Sequence, residues 1–185
     1  MTALSRRAPE RGYRAAAMDF DADTGLERVD SERWEGEIAD GWWTPRGPLG
    51  GYVMAIALRA LGEAVDDPAR MPRSVTMHFL RAPTLGPVTM RATVERAGRS
   101  LSTVSGRLDQ GGQVIGLALA AFSKPWPGPL LDAAEMPEVE PPDQARPATP
   151  TLPGREPPPF TQLLTMQHRF GELPFSGSES SETGG

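Results

Sequence analysis

No cysteine occurs among the 185 residues, which excludes disulfides, a thiolate nucleophile and any cysteine-based metal site. Histidine is nearly absent as well. His78 and His168 stand alone and far apart, at no ligand spacing, so neither a metal site nor a cofactor is expected. Positive charge is in deficit: the net charge is −5 and the pI about 5.1. A nucleic-acid partner is therefore not expected, because neutralising phosphates needs a surplus of Lys and Arg. Long apolar runs are missing too, and no stretch reaches the roughly 18 residues that cross a bilayer. Arg6-Arg7 is followed by charged and small residues, so it does not read as a targeting signal. No Gly-x-Ser-x-Gly elbow is present, which removes the usual serine hydrolase. A cysteine-free chain without a membrane segment reads as cytoplasmic.

Glycine and proline, at 20 each, are abundant. Most of the proline lies in "KPWPGPLLDAAEMPEVEPPDQARPATPTLPGREPPP", Lys124 to Pro159, where it forbids helix and sheet interiors. This segment, acidic from Asp132 to Asp143, reads as an extended linker. The chain accordingly divides into a disordered tail (1–19), a compact block (20–123), the linker (124–159) and a short piece (160–185). Phe160 to Phe170 has strand character, but twenty-odd residues cannot make a core of their own.

Within the block, "RWEGEI" (Arg33 to Ile38) reads as a strand. "RGPLGGYVMAIALRAL" then joins a glycine turn to an apolar segment, Tyr52 to Ala64, rich in Ala, Leu and Met. A helix so apolar must be wrapped by other structure. It is too short for a membrane. "RGPLGGY" also lacks the Lys-Ser/Thr of a phosphate loop. Val75, Met77 and Phe79 alternate with polar neighbours, as do Val88, Met90, Ala92 and Val94, which is the period of half-buried strands. Leu101 to Leu108 continues the series, "DQGGQ" signals a hairpin, and "VIGLALAAF" (Val114 to Phe122) reads as a central strand. The fold class is α+β: an antiparallel sheet wrapped around one long buried helix.

"GPLGGYVMAIALRAL", "SVTMHFLRAPTLGPV", "ERAGRSLSTVSGRL" and "GLALAAFSKP", in that order, resemble the N-terminal domain of acyl-CoA thioesterase-like proteins of the double-hotdog type. The resemblance covers about Phe20 to Ser123 and implies the hotdog fold, acyl-CoA as ligand and a homodimer. It further implies that residues 160–185 are the opening strands of a second hotdog, cut short. In such relatives the catalytic carboxylate lies in the second hotdog, so no catalytic residue carries over. The expected function is an acyl-CoA thioesterase-like protein that hydrolyses or binds thioesters. The alternative is a non-catalytic hotdog subunit that binds acyl-CoA or scaffolds a complex. A hydratase would want an Asp–His pair at the helix, which is lacking.

Thioester hydrolysis needs a carboxylate to activate water and donors for the oxyanion. A helix N-terminus offers such donors, which makes Gly50 and Gly51 the candidates for the thioester carbonyl. Asp40 is the candidate carboxylate ahead of the helix. Glu63 is expected to pair with Arg59 four residues before it. His78 is carried as a substrate-side candidate, although its alternation with Met77 and Phe79 sends it away from the helix. Arg81 and Arg99, near strand ends, are the candidates for CoA phosphates.

Overall fold

In the computed structural model, residues 19–129 are described continuously, and beyond them only scattered positions between 131 and 184. The chain opens with a short helix, α1 (Phe20–Asp23), followed by strands β1 (Glu27–Arg28) and β2 (Arg33–Ile38). A small hairpin, β3 (Trp43–Thr44) and β4 (Gly47–Pro48), leads into the long helix α2 (Gly50–Val65). Four long strands complete the body: β5 (Met71–Phe79), β6 (Gly86–Ala97), β7 (Leu101–Gln110) and β8 (Gln113–Ser123). Together with β1 and β2 they form one antiparallel sheet of six strands in the order β1-β2-β6-β7-β8-β5, with α2 packed across one face.

The alternation in the sequence explains which face is which. Val88, Met90 and Ala92 of β6, Val104 and Leu108 of β7, and Ala118, Ala120 and Phe122 of β8 are all buried. Opposite them α2 presents Tyr52, Val53, Ile56, Ala57, Ala60 and Leu61 as a single stripe. Close approach of helix and sheet is set by Gly106: a Cβ there would lie 2.8 Å from Leu61 Cδ2 and 2.3 Å from Met90 Cε. The expected hairpin at "DQGGQ" is formed, with Gly111 and Gly112 at φ of 56° and 77°, the two successive positive values that match the twist of the flanking strands.

One expectation holds in part and one is corrected. The run Val114 to Phe122 is an interior strand as expected, paired with β7 and β5, but only one of its faces is buried. β8 lies next to the edge strand β5, and Leu117 and Leu119 face outward, 43% and 52% exposed. A continuous apolar sequence here reflects one core face plus an apolar outer face, not a doubly covered strand. Phe160 to Phe170 is not one strand: Pro159–Leu163 is a 3-10 turn, followed by the two-residue strands β10 (Gln167–His168) and β11 (Phe170–Gly171). β10 pairs with β9 (Arg146–Pro147), so the proline-rich segment carries a two-residue ladder, and β11 pairs with β12 (Thr183–Gly184). The expected tail (1–19) lies outside the described residues except for Asp19, which caps α1 through its side chain. Among the described residues no helix is long and apolar enough to cross a membrane.

Candidate functional site

α2 begins without a side-chain cap. Leu49 occupies the cap position, and its own amide donates to the Trp42 carbonyl at 2.6 Å. The first amides of the helix have no intrahelical acceptor, and they carry the positive end of its dipole. Gly50 and Gly51, the first two helical residues, are exposed. At Gly51 an added Cβ would meet nothing within 4 Å. Neither glycine is held at positive φ, so backbone conformation does not demand glycine at either position.

A cleft of about 300 Å³ opens beside this helix start. One wall is the β3–β4 hairpin, with Thr44 and Arg46. The other is the end of β5 and the loop after it, with Phe79, Leu80 and Arg81. The hairpin is tightened by Thr44, whose hydroxyl donates to the Gly47 carbonyl at 2.9 Å and accepts from the Arg46 amide at 3.2 Å. Arg81 is held at the rim by Nη1, which donates to the Val114 carbonyl at 3.0 Å. Gln110 fixes the far end of the loop, accepting from the Thr84 amide and donating to the Thr84 carbonyl, both at 2.8 Å. The cleft is thus a partly apolar trough with two guanidinium groups at its mouth and helix amides at its head.

An aromatic cluster, buried at Trp42 and Tyr52 and exposed at Phe20, steadies the helix start. Tyr52 stacks on Trp42 with ring centroids 5.3 Å apart, and Phe20 meets Trp42 edge-on at 5.4 Å. The Tyr52 hydroxyl accepts from the Ala39 amide at 2.9 Å and donates toward the Asp23 carbonyl at 3.0 Å. Burial pushes the Tyr52 hydroxyl pKa up from its ordinary value. Trp42 Nε1 donates to Asp23 at 2.9 Å, which ties α1 to the same cluster.

Of the candidates named from sequence, the fold brings Gly50 and Arg81 to one cleft, with Gly51 one residue along the helix. The other candidates fall elsewhere. Asp40 lines a separate acidic groove with Asp23, Glu35 and Glu37. None of the described residues lining the cleft is acidic or a histidine. His78 stands in register with Leu117 on the outer face, away from α2. Arg99 sits in the β6–β7 turn, where its carbonyl accepts from Arg70 at 3.3 Å. Glu63 does not pair with Arg59. It accepts from Trp34 Nε1 at 2.7 Å, while Arg59 binds Asp21 and the Thr24 hydroxyl. The i,i+4 spacing could not reveal competitors from α1 and β2, which are remote in sequence. Arg46, Phe79 and Leu80 were missed, although Arg46 opens the very stretch that drew notice. No group of three or more metal-ligating side chains occurs among the described residues.

Residues 39–123 match the model of the acyl-CoA thioesterase N-terminal domain. Over this stretch, a little under half of the chain, the sequence is similar to the acyl-CoA thioesterase-like family. The architecture of the thioesterase-like domain agrees with solved hotdog structures. A hotdog protein of unknown function from Alicyclobacillus acidocaldarius superposes with a TM-score of 0.73 at 24% identity, covering 89% of this chain and 60% of that one. A candidate thioesterase II from Thermobifida fusca superposes with a TM-score of 0.66 at 26% identity, over 82% of this chain and 55% of that one. An uncharacterized protein of Mycobacterium tuberculosis is 28% identical over 141 residues. The match takes in 66% of this chain and 48% of that protein, so the chain spans about half the length of this relative.

Proposed function

We propose that the chain binds an acyl-CoA thioester in the cleft at the head of α2 and serves thioester hydrolysis as the donor-bearing half of the site. The observation that carries this reading is the uncapped, glycine-opened start of α2 beside Arg46 and Arg81. The Gly50 and Gly51 amides would receive the thioester carbonyl oxygen, where negative charge grows as water attacks the carbonyl carbon and the C–S bond breaks. Arg46 and Arg81 would take the CoA phosphates. Glycine at an open helical position exposes its amide to a ligand at a cost of roughly 0.5–1 kcal/mol relative to Ala.

The cleft's described lining carries no carboxylate to activate water, so the base would come from another unit. Two features support this. β5 forms one edge of the sheet and ends beside the cleft at Phe79, so a second hotdog docked there would bring its own groups to the site. In addition, the start of the domain is echoed late in the chain. A short helical turn includes Phe20, and β1 begins at Glu27; another includes Phe160, and β10 begins at Gln167. Residues 160–185 are read as the opening of a second copy, with self-association of two chains as the homodimeric counterpart.

The test is acyl-CoA binding by calorimetry beside thiol release across short to long acyl groups. The absence of cysteine gives the thiol assay no protein background. Binding that Arg81→Ala weakens about tenfold is expected. A chain that binds no acyl-CoA at any acyl length overturns the reading.

A further inference from the structure

The outer face of the sheet, away from α2, carries a polar arrangement that the thioester cleft does not use. Arg33 of β2, Arg91 of β6 and Arg107 of β7 stand directly opposite one another across adjacent strands. Like charges in direct register are destabilising, so such a row calls for compensation. Two residues along, on the same face, Glu35, Thr89 and Asp109 stand opposite one another in the same way. The flanking arginines find acids. Arg107 Nε lies 3.0 Å from both Asp109 oxygens. Arg33 reaches Glu35 and Asp30 more loosely, at 3.8 and 3.7 Å, and its buried Nε has no hydrogen-bond partner among the described residues. Arg91 stands between them with a neutral Thr89 where each neighbour has a carboxylate, and it forms no ion pair among the described residues. Arg91 is thus the one arginine of the row with no acid partner among the described residues.

A depression of about 600 Å³ covers this place, lined by the three arginines, Thr89, Asp109 with its Arg107 partner, and the Gly111–Gly112 turn. We propose that it binds the phosphate group of a small phosphomonoester, seated on Arg91 and Thr89 and flanked by Arg33 and Arg107. Planar guanidinium groups pair with phosphate oxygens in two-pronged fashion, and a dianion suits a row of cations better than a single carboxylate. The depression exceeds what a phosphate fills, which leaves room for an organic body toward the turn. The site is on the opposite face from α2 and does not depend on the acyl-CoA reading.

The experiment is thermal unfolding of the full chain in inorganic phosphate, in AMP, and in chloride at matched ionic strength. A rise in Tm of about 2–6 °C with phosphate or AMP is expected, by preferential binding to the folded state. A larger rise with AMP assigns the organic body to the depression, and an equal rise assigns the phosphate group alone. Arg91→Gln is expected to abolish the response. Thr89→Glu supplies the missing carboxylate, so it is expected to raise Tm in chloride and also abolish the response. No rise with either ligand overturns the proposal, and so does a rise that Arg91→Gln and Thr89→Glu both retain.

Discussion

Trp34 Nε1 donates to Glu63 Oε2 at 2.7 Å, joining the start of β2 to the last turn of α2. Trp34 is fully buried, and Arg28 lies over its ring at 5.3 Å. Glu63→Ala would leave a buried indole N–H without an acceptor, a loss of about 1–3 kcal/mol. Glu63→Gln keeps an acceptor oxygen and is expected to lose less than half of that. Urea unfolding of the two variants checks the order.

The Tyr52 hydroxyl closes a similar gap at the other end of α2. Tyr52→Phe leaves the Ala39 amide unpaired, and a destabilisation of about 1–3 kcal/mol is expected. The pH dependence has a definite sign. The native hydroxyl holds its proton above the ordinary value of 10.0, where the unfolded chain releases it. This contribution is complete below pH 10.0 and falls as pH rises through the native value. Unfolding midpoints from pH 9 upward should decline more steeply for the wild type than for Tyr52→Phe.

Asp67 behaves in the opposite sense. A hydrogen bond from the Lys124 ammonium, 3.1 Å away, holds its carboxyl below the usual range, assisted by the Ala69 amide and Arg70. The stabilisation is present above the ordinary carboxylate value of 3.8 and is lost as pH falls through the native value. Asp67→Asn should therefore lower Tm at neutral pH, with the difference from wild type shrinking below pH 3.8.

Gly106 and Gly51 make a contrasting pair. Gly106→Ala pushes a Cβ into Leu61 and Met90, so a loss of about 1–3 kcal/mol from overpacking is expected. Gly51→Ala meets open space and should stabilise α2 by up to about 1 kcal/mol. If the Gly51 amide receives the thioester carbonyl, the same change should weaken acyl-CoA binding. Calorimetric binding beside thermal unfolding separates the two effects. A Gly51→Ala chain with unchanged affinity would remove Gly51 from the proposed site.

Among the described residues no strand pairs with the outer edge of β5, which predicts association that depends on concentration. Thr76→Lys, a charge in the middle of that edge strand, should shift the chain toward monomer in sedimentation velocity. A wild type that stays monomeric at high concentration would remove edge pairing between two chains.

Local pattern and composition are enough to place α2 and strands β2, β5, β6, β7 and β8, but not α1, β1 or the β3–β4 hairpin. Alternation in Val75–Phe79 and Val88–Val94, the apolar Ala- and Leu-rich run Tyr52–Ala64 and the paired glycines of "DQGGQ" are local signals, because strand period and helix propensity are properties of the chain itself. The exclusions were compositional and needed no fold. What tertiary structure alone decided is which distant groups meet. The sheet order sets Arg33, Arg91 and Arg107 in one row although they are scattered over three strands. The crossing of α2 gives Glu63 to Trp34 rather than to Arg59, and the hairpin before α2 brings Arg46 to Arg81. Register and packing settle such partnerships through space, and hydrophobic pattern carries no record of which polar group on one element will face which on another.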